Sequence, residues 1–138
     1  MSIKLNILNL VTDDKCYDYL RSVRWECGLI CPYCKSKEIS AKGRSSHNEY
    51  IFRYQCEGCK RGYNDLSETI FAKSNKPLKV WILALYFMGL NLSNRQISQE
   101  LDLTEKTAQE MTSKLRAGIV KKSLIYNLSI AWKQMKFM

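Results

Sequence analysis

The chain has 138 residues, enough for one ordinary domain or two small ones, and no run in it has the length of a membrane-spanning helix. Its 22 lysines and arginines against 13 acids leave a net charge of +9. After Glu110 all charge is basic (Lys114, Arg116, Lys121, Lys122, Lys133, Lys136), which favours a polyanionic partner, nucleic acid before anionic membrane. The apolar start Met1–Leu10 runs into Thr12-Asp13-Asp14 without a cleavage site, so it does not resemble a secretory signal.

The first predicted element is a short helix over residues 13–24. Thr12 is placed to cap it, Asp13 and Asp14 fall where the helix dipole favours negative charge, and Cys16, Tyr17, Leu20 and Val23 recur at helical spacing. Trp25 and Gly28 lead into Cys31-Pro32-Tyr33-Cys34, and a second pair, Cys56-Glu57-Gly58-Cys59, follows after a gap of 21 residues. Two residues between thiolates let one tight turn aim both sulfurs at one point. Two such turns, joined by a hairpin, complete the tetrahedral sulfur cage that Zn²⁺ prefers in closed structural sites. Cys31, Cys34, Cys56 and Cys59 are therefore the expected ligands of one structural zinc ion. A segment of roughly 40 residues buries too little apolar surface to fold alone, so the metal must supply much of its folding free energy.

Other uses of the cysteines fit less well. Disulfides need an oxidising compartment, a thioredoxin-like redox pair needs a single C-x-x-C in an α/β setting, and an iron–sulfur centre suits this spacing less than zinc does. Cys16 is expected in a core, Cys27 as a bystander, and His47 in the solvated loop Gly43-Arg44-Ser45-Ser46-His47-Asn48. Between the knuckles, Glu38–Lys42 and Glu49–Gln55 read as strands, and Arg61–Asp65 as a third. Tyr50, Phe52 and Tyr54 alternate, which suits the small core of such a sheet better than a stacking platform for bases.

From Ser74 the pattern becomes helical. Pro77 suits a first turn, and Leu78, Trp81, Ile82, Leu85 and Met88 repeat at three and four through about Gly89. Ser93-Asn94-Arg95-Gln96 is a capping box, with Ile97 and Leu101 behind it. After the break at Asp102-Leu103, Thr104 caps a helix whose buried face is Ala108, Met111, Leu115 and Ile119. Two short helices across a tight turn, after a longer apolar one, predict a tri-helical helix-turn-helix. The second of the pair, residues 104–118, would then be the recognition helix. Glu105, Lys106, Thr107, Gln109, Thr112 and Ser113 would meet base edges, Arg95, Lys114, Arg116, Lys121 and Lys122 would sit near phosphates, and the capping Thr104 is counted with the DNA-binding residues.

The run Arg21-x-x-Arg24-Trp25-x-x-Gly28-x-x-Cys31-Pro32-x-Cys34 resembles the opening of bacterial insertion-sequence transposases that begin with a zinc ribbon and end in an ISXO-like catalytic domain of the DDE class. The likeness continues through Tyr54-x-Cys56-x-x-Cys59, Thr69-x-Phe71, Lys76-Pro77-Leu78-x-x-Trp81-x-x-Ala84-x-Tyr86-x-Met88, Ile97-x-x-x-Leu101 and Lys106-Thr107-Ala108-x-x-Met111-x-x-x-Leu115-Arg116. It spans roughly residues 13–118. Two positions depart from the pattern: Glu68 stands where the family carries glycine, and Gln109 where it often carries an aromatic.

The resemblance implies a catalytic domain holding two divalent metal ions through separated carboxylates, yet this chain has no carboxylate after Glu110. The expectation is therefore a non-enzymatic, end-binding half of a transposase. The fold class expected is α+β, a three-stranded antiparallel zinc ribbon followed by a tri-helical helix-turn-helix. Residues 1–28 form a lead-in, 29–72 the ribbon, 75–120 the helix-turn-helix, and 121–138 a basic and apolar tail left from a linker. The implied role is recognition of terminal inverted repeats in double-stranded DNA, in the cytoplasm and associated with the nucleoid, without membrane. A homodimer or a separate catalytic chain is the possible protein partner. A regulator made from a transposase, one part of a split transposase, and a protein-interaction module are the rival readings.

Overall fold

The structure, a computed structural model, describes residues 12–121 and 124–135. It divides into two compact units: Tyr17–Ser74 form one, and the other described residues form the second. Each is α-helical or mixed for reasons that can be read locally.

The first unit takes in most of helix α1 (Asp13–Arg24) and a sheet of three strands in the order β1 (Ile39–Arg44), β2 (Phe52–Cys56), β3 (Gly62–Asn64), all antiparallel. The strands are shifted from their expected bounds. Residues 49–51 are turn rather than strand, because the Asn48 side chain accepts a hydrogen bond from the Tyr50 amide at 2.9 Å and curls the chain. Tyr50 therefore leaves the alternating face and stacks on Tyr17, with ring centroids 6.2 Å apart. Tyr54 and Tyr63, a directly opposed pair, are buried, and Trp25 packs edge-on against Tyr54. Of the alternating Tyr50, Phe52 and Tyr54 only Tyr54 is buried, so the small core is made by Tyr54 with Tyr63 and Trp25 rather than by the alternating face as a whole.

After β3 the chain passes through turns to Phe71, which is buried. Thr69 donates to the Leu66 carbonyl at 2.6 Å and accepts from the Phe71 amide at 3.2 Å. Just before it, Glu68 has φ 62°, a left-handed conformation. The family's glycine is explained by that backbone, since a Cβ there costs roughly 1–2 kcal/mol while glycine adopts the conformation freely. Glu68→Gly is expected to stabilise this unit by about 0.5–1 kcal/mol, less than the full penalty because glycine is more disordered when unfolded. Equilibrium denaturation of the two zinc-loaded proteins checks this, and a loss of stability would refute it.

The second unit is helical: α2 (Leu78–Gly89), α3 (Asn94–Leu101), α4 (Glu105–Val120) and α5 (Leu124–Met135). Pro77 stands one residue earlier than expected, at the N-cap of α2, with its carbonyl accepting from Val80 and Trp81. The expected stripe along α2 is broader than predicted: Leu78, Val80, Trp81, Ile82, Leu83, Ala84, Leu85 and Phe87 are all buried. A helix apolar all round is the centre of its bundle, and α3, α4 and α5 each pack on α2. Ser93 and Gln96 form the predicted capping box, and Thr104 accepts from the Thr107 amide at 3.1 Å. Caps of this kind are worth about 1 kcal/mol each and set where α3 and α4 begin.

Three residues separate α3 from α4, with Asp102 left-handed at φ 56°. Ile97, Leu101, Ala108, Met111 and Leu115 are buried along the pair, as expected, while Ile119 is only partly covered. The basic and apolar tail is helical within the described residues. Ile125 and Leu128 are buried, and α5 packs on α2 and α4, so within the described residues the tail is a fourth helix of this unit.

Candidate metal centre and nucleic-acid interface

The two knuckles are built alike. In each, the first cysteine carbonyl accepts from the residue after the second cysteine, Lys35 at 3.0 Å and Lys60 at 2.9 Å. Both lysines are left-handed, at φ 66° and 65°. That turn leaves backbone amides pointing at sulfur. Tyr33 and Cys34 donate to Cys31 Sγ at 3.4 Å, and Cys59 donates to Cys56 Sγ at 3.4 Å.

The four sulfurs all lie within 4.8 Å of one another, with Cys31 and Cys59 at 3.6 Å and Cys34 and Cys56 at 3.4 Å. A tetrahedral site with Zn–S bonds of about 2.3 Å puts its sulfurs about 3.8 Å apart, so the cage has nearly the size that zinc requires. The amides stabilise thiolate. Cys56 is lowered to about 6 from 9.0, first by the Cys59 amide, against the cost of burial. Cys31 is also lowered, because amides from Cys34 and Tyr33 outweigh its burial. Cys34 goes the other way, to about 11: the Ser36 amide lowers it, but burial and the neighbouring sulfurs outweigh that donor. Four soft donors crowded so closely repel as thiolates unless a cation lies among them, and one Zn²⁺ fits the set.

Cys27 is exposed and His47 is exposed, and neither belongs to the metal-sized group, as expected. Cys16 is buried, and burial together with Asp13 pushes its thiol up to about 11, which leaves it inert.

Behind the metal site lies a device that sequence reasoning missed. Asp65 is wholly buried and accepts four hydrogen bonds: Arg21 Nη1 and the Phe52 amide at 2.9 Å on one oxygen, Tyr54 Oη at 2.7 Å and Trp25 Nε1 at 3.2 Å on the other. Arg24 donates to the carbonyls of Asp65, at 2.6 Å, and Ser67. Burial foremost, and the bond to Asp65, push the Tyr54 hydroxyl upward, so it stays a donor. A signal was present: Arg21, Arg24 and Trp25 share one helix face at i, i+3 and i+4, and such a face demands an acceptor.

These features agree with what the chain is similar to. Residues 11–62 match the family model described as transposase zinc-ribbon domain. The chain is a transposase-related protein. It is 34% identical, over 102 residues that make up 73% of it, to "Uncharacterized protein in transposable element ISH50" from Halobacterium salinarum. Those residues cover 34% of that relative, so the chain spans about a third of its length. No solved structure matches the chain.

The residues predicted to meet DNA are unevenly placed on this transposase-related protein. Glu105, Lys106, Gln109, Ser113, Lys114, Arg116 and Lys121 are exposed on or just after α4, and Arg95 is exposed near the start of α3. Thr104 is exposed but occupied as the cap, and Thr107 is half-buried, accepting from the Thr104 hydroxyl at 2.8 Å. Thr112 is a correction. It is fully buried and donates to Asn94 Oδ1 at 2.9 Å, tying α4 to the start of α3, so it cannot reach a base. It shares the buried side of α4 with Ala108, Met111 and Leu115, one position beside the stripe that spacing picked out. Lys122 lies outside the described residues.

Among the described residues the four cysteines are the group close enough to hold a metal, and no helix is long and apolar enough to cross a membrane.

Proposed function

We propose that this transposase-related chain binds double-stranded DNA in a sequence-dependent way, through a helix-turn-helix made of α3 and α4. The observation that carries the reading is the exposed polar face of α4. Lys106, Gln109 and Ser113 recur there at three and four, on a helix begun by a capped three-residue turn. A side chain at each of three successive turns is what major-groove readout uses, lysine toward guanine and glutamine toward adenine. Lys114, Arg116 and Lys121 would follow the phosphates, with Arg95 at the neighbouring helix start. The zinc ribbon is structural in this reading.

Kinship with a protein of a transposable element supports terminal inverted repeats as the target. The proposal concerns binding and assigns this chain no step of hydrolysis or strand transfer, which a two-metal site would carry out through clustered carboxylates. Cytoplasmic, nucleoid-associated action follows from the same reading, with a second copy or a catalytic chain as protein partner.

Selection from a random duplex pool with zinc-loaded protein tests this. An enriched motif is expected, with log affinity falling by several units per log unit of salt. Lys106→Ala and Gln109→Ala should each cost about 1–3 kcal/mol on that motif and relax specificity at one position. Binding without an enriched motif would reduce the protein to a basic scaffold, and absence of duplex binding would overturn the reading.

A further inference from the structure

The ribbon's sheet has two unlike faces. One carries Tyr54 and Tyr63 into the core, where Arg21 and Arg24 are already committed to Asp65 and nearby carbonyls. The alternate positions, Arg53 opposite Asn64 and Gln55 opposite Gly62, belong to the other face, and Arg53 is exposed. Beside them opens a cleft of about 460 Å³, whose lining includes Ser45, Ser46, His47, Arg53, Asn64 and Ser67. No carboxylate lines it. The ion pairs among the described residues are Arg21 with Asp18 and Asp65, and Lys60 with Glu57, so the Arg53 guanidinium is uncommitted.

A bulge shapes the rim. Lys42 and Gly43 of β1 together stand where β2 offers Arg53 alone, and Gly43 takes φ 84°, which a side chain would strain. Within the bulge stands Lys42, an exposed second cation of the same hairpin, outside the cleft's lining. A guanidinium in a cleft of hydroxyl and amide groups, free of acids, suits one chemical class. Phosphate oxygens accept two parallel bonds from arginine and further bonds from serine and asparagine donors. Tyr54 and Tyr63 also line the cleft, but with an arginine and no carboxylate in the lining an anion finds the stronger partners there.

We propose that this cleft holds a backbone phosphate of the bound duplex, with Arg53 as its principal contact. The ribbon then anchors the DNA without reading it, a second contact separate from the α4 face. The inference rests on the duplex-binding reading above.

The test uses the full, zinc-loaded chain and the duplex that wild type enriches. Arg53→Ala, Arg53→Gln and Arg53→Lys are compared with Lys37→Ala, which removes an exposed cation outside the cleft. Zinc content is measured for each. Arg53→Ala and Arg53→Gln should bind more weakly, with the log–log salt slope smaller by about 0.9, the counterion of one phosphate contact. The enriched motif should not change, because phosphate contacts carry no sequence information. Arg53→Lys should keep most of the slope, and Lys37→Ala all of it. A wild-type slope in both neutral variants, or an equal loss in Lys37→Ala, would overturn this assignment and leave the duplex reading standing. Wild type that binds no duplex would overturn both.

Discussion

Stripping zinc from the protein is expected to unfold the ribbon and leave the helical unit folded. Residues of the ribbon bury a small aromatic core around Tyr54, Tyr63 and Trp25, too little apolar surface to offset the entropy of ordering some 40 residues at about 1–2 kcal/mol each. Structural zinc in small sites contributes on the order of 10 kcal/mol or more, and losing it removes the margin. The helical unit has a different basis, a central helix with eight buried residues, and needs no metal. Amide exchange on addition of a strong chelator should therefore show protection lost across β1–β3 and kept in α2–α4. Protection kept in the strands would mean that the cage is not what holds them.

Acid should act in the same direction. Cys56 has its thiol lowered from 9.0 to about 6, so the stability its thiolate contributes is present above pH 9 and is lost as pH falls through about 6. Protons also compete directly with zinc for all four sulfurs.

The second large effect is expected at Asp65. Asp65→Ala should destabilise the ribbon unit by roughly 3–5 kcal/mol, because it leaves Arg21 beside Phe52 without its buried counter-ion. The hydroxyl of Tyr54, the indole of Trp25 and the Phe52 amide lose their acceptor in the same step. Each unsatisfied donor costs about 1–3 kcal/mol where water cannot replace the partner. Asp65→Asn preserves the shape but turns a donor toward donors on one side, so it should fall between alanine and wild type. Denaturant titration of the zinc-loaded variants, followed at strand amides, measures both. A loss under about 1 kcal/mol for Asp65→Ala would show that the network is incidental.

Much of the molecule was legible from residue spacing. The metal cage follows from local geometry: two C-x2-C turns cannot aim their sulfurs apart, and the single His47 and the displaced Cys27 had no comparable claim. The capping box at Ser93 and Gln96 and the cap at Thr104 were equally local, which is why α3 and α4 begin where expected. The missed strand ends were local too, but they depended on a side-chain choice. Asn48 bonds its own backbone and takes residues 49–51 out of β2, an outcome that alternation of aromatics cannot register.

What the sequence by itself determined is the set of zinc ligands, the order of strands and helices, and the basic balance that favours a polyanion. Tertiary structure alone decided the rest. Asp65 looked like a spare acid in a strand until helix α1 and strand β2 brought four donors to it from residues 21 to 54. Thr112 looked like a surface threonine until Asn94 met it. The left-handed turn at Glu68 hides behind a residue that ordinarily avoids it. For Asp65 and Thr112 the physical reason is shared: periodicity reports which way a side chain faces along its own element, whereas pairing a buried polar group depends on partners far away in sequence.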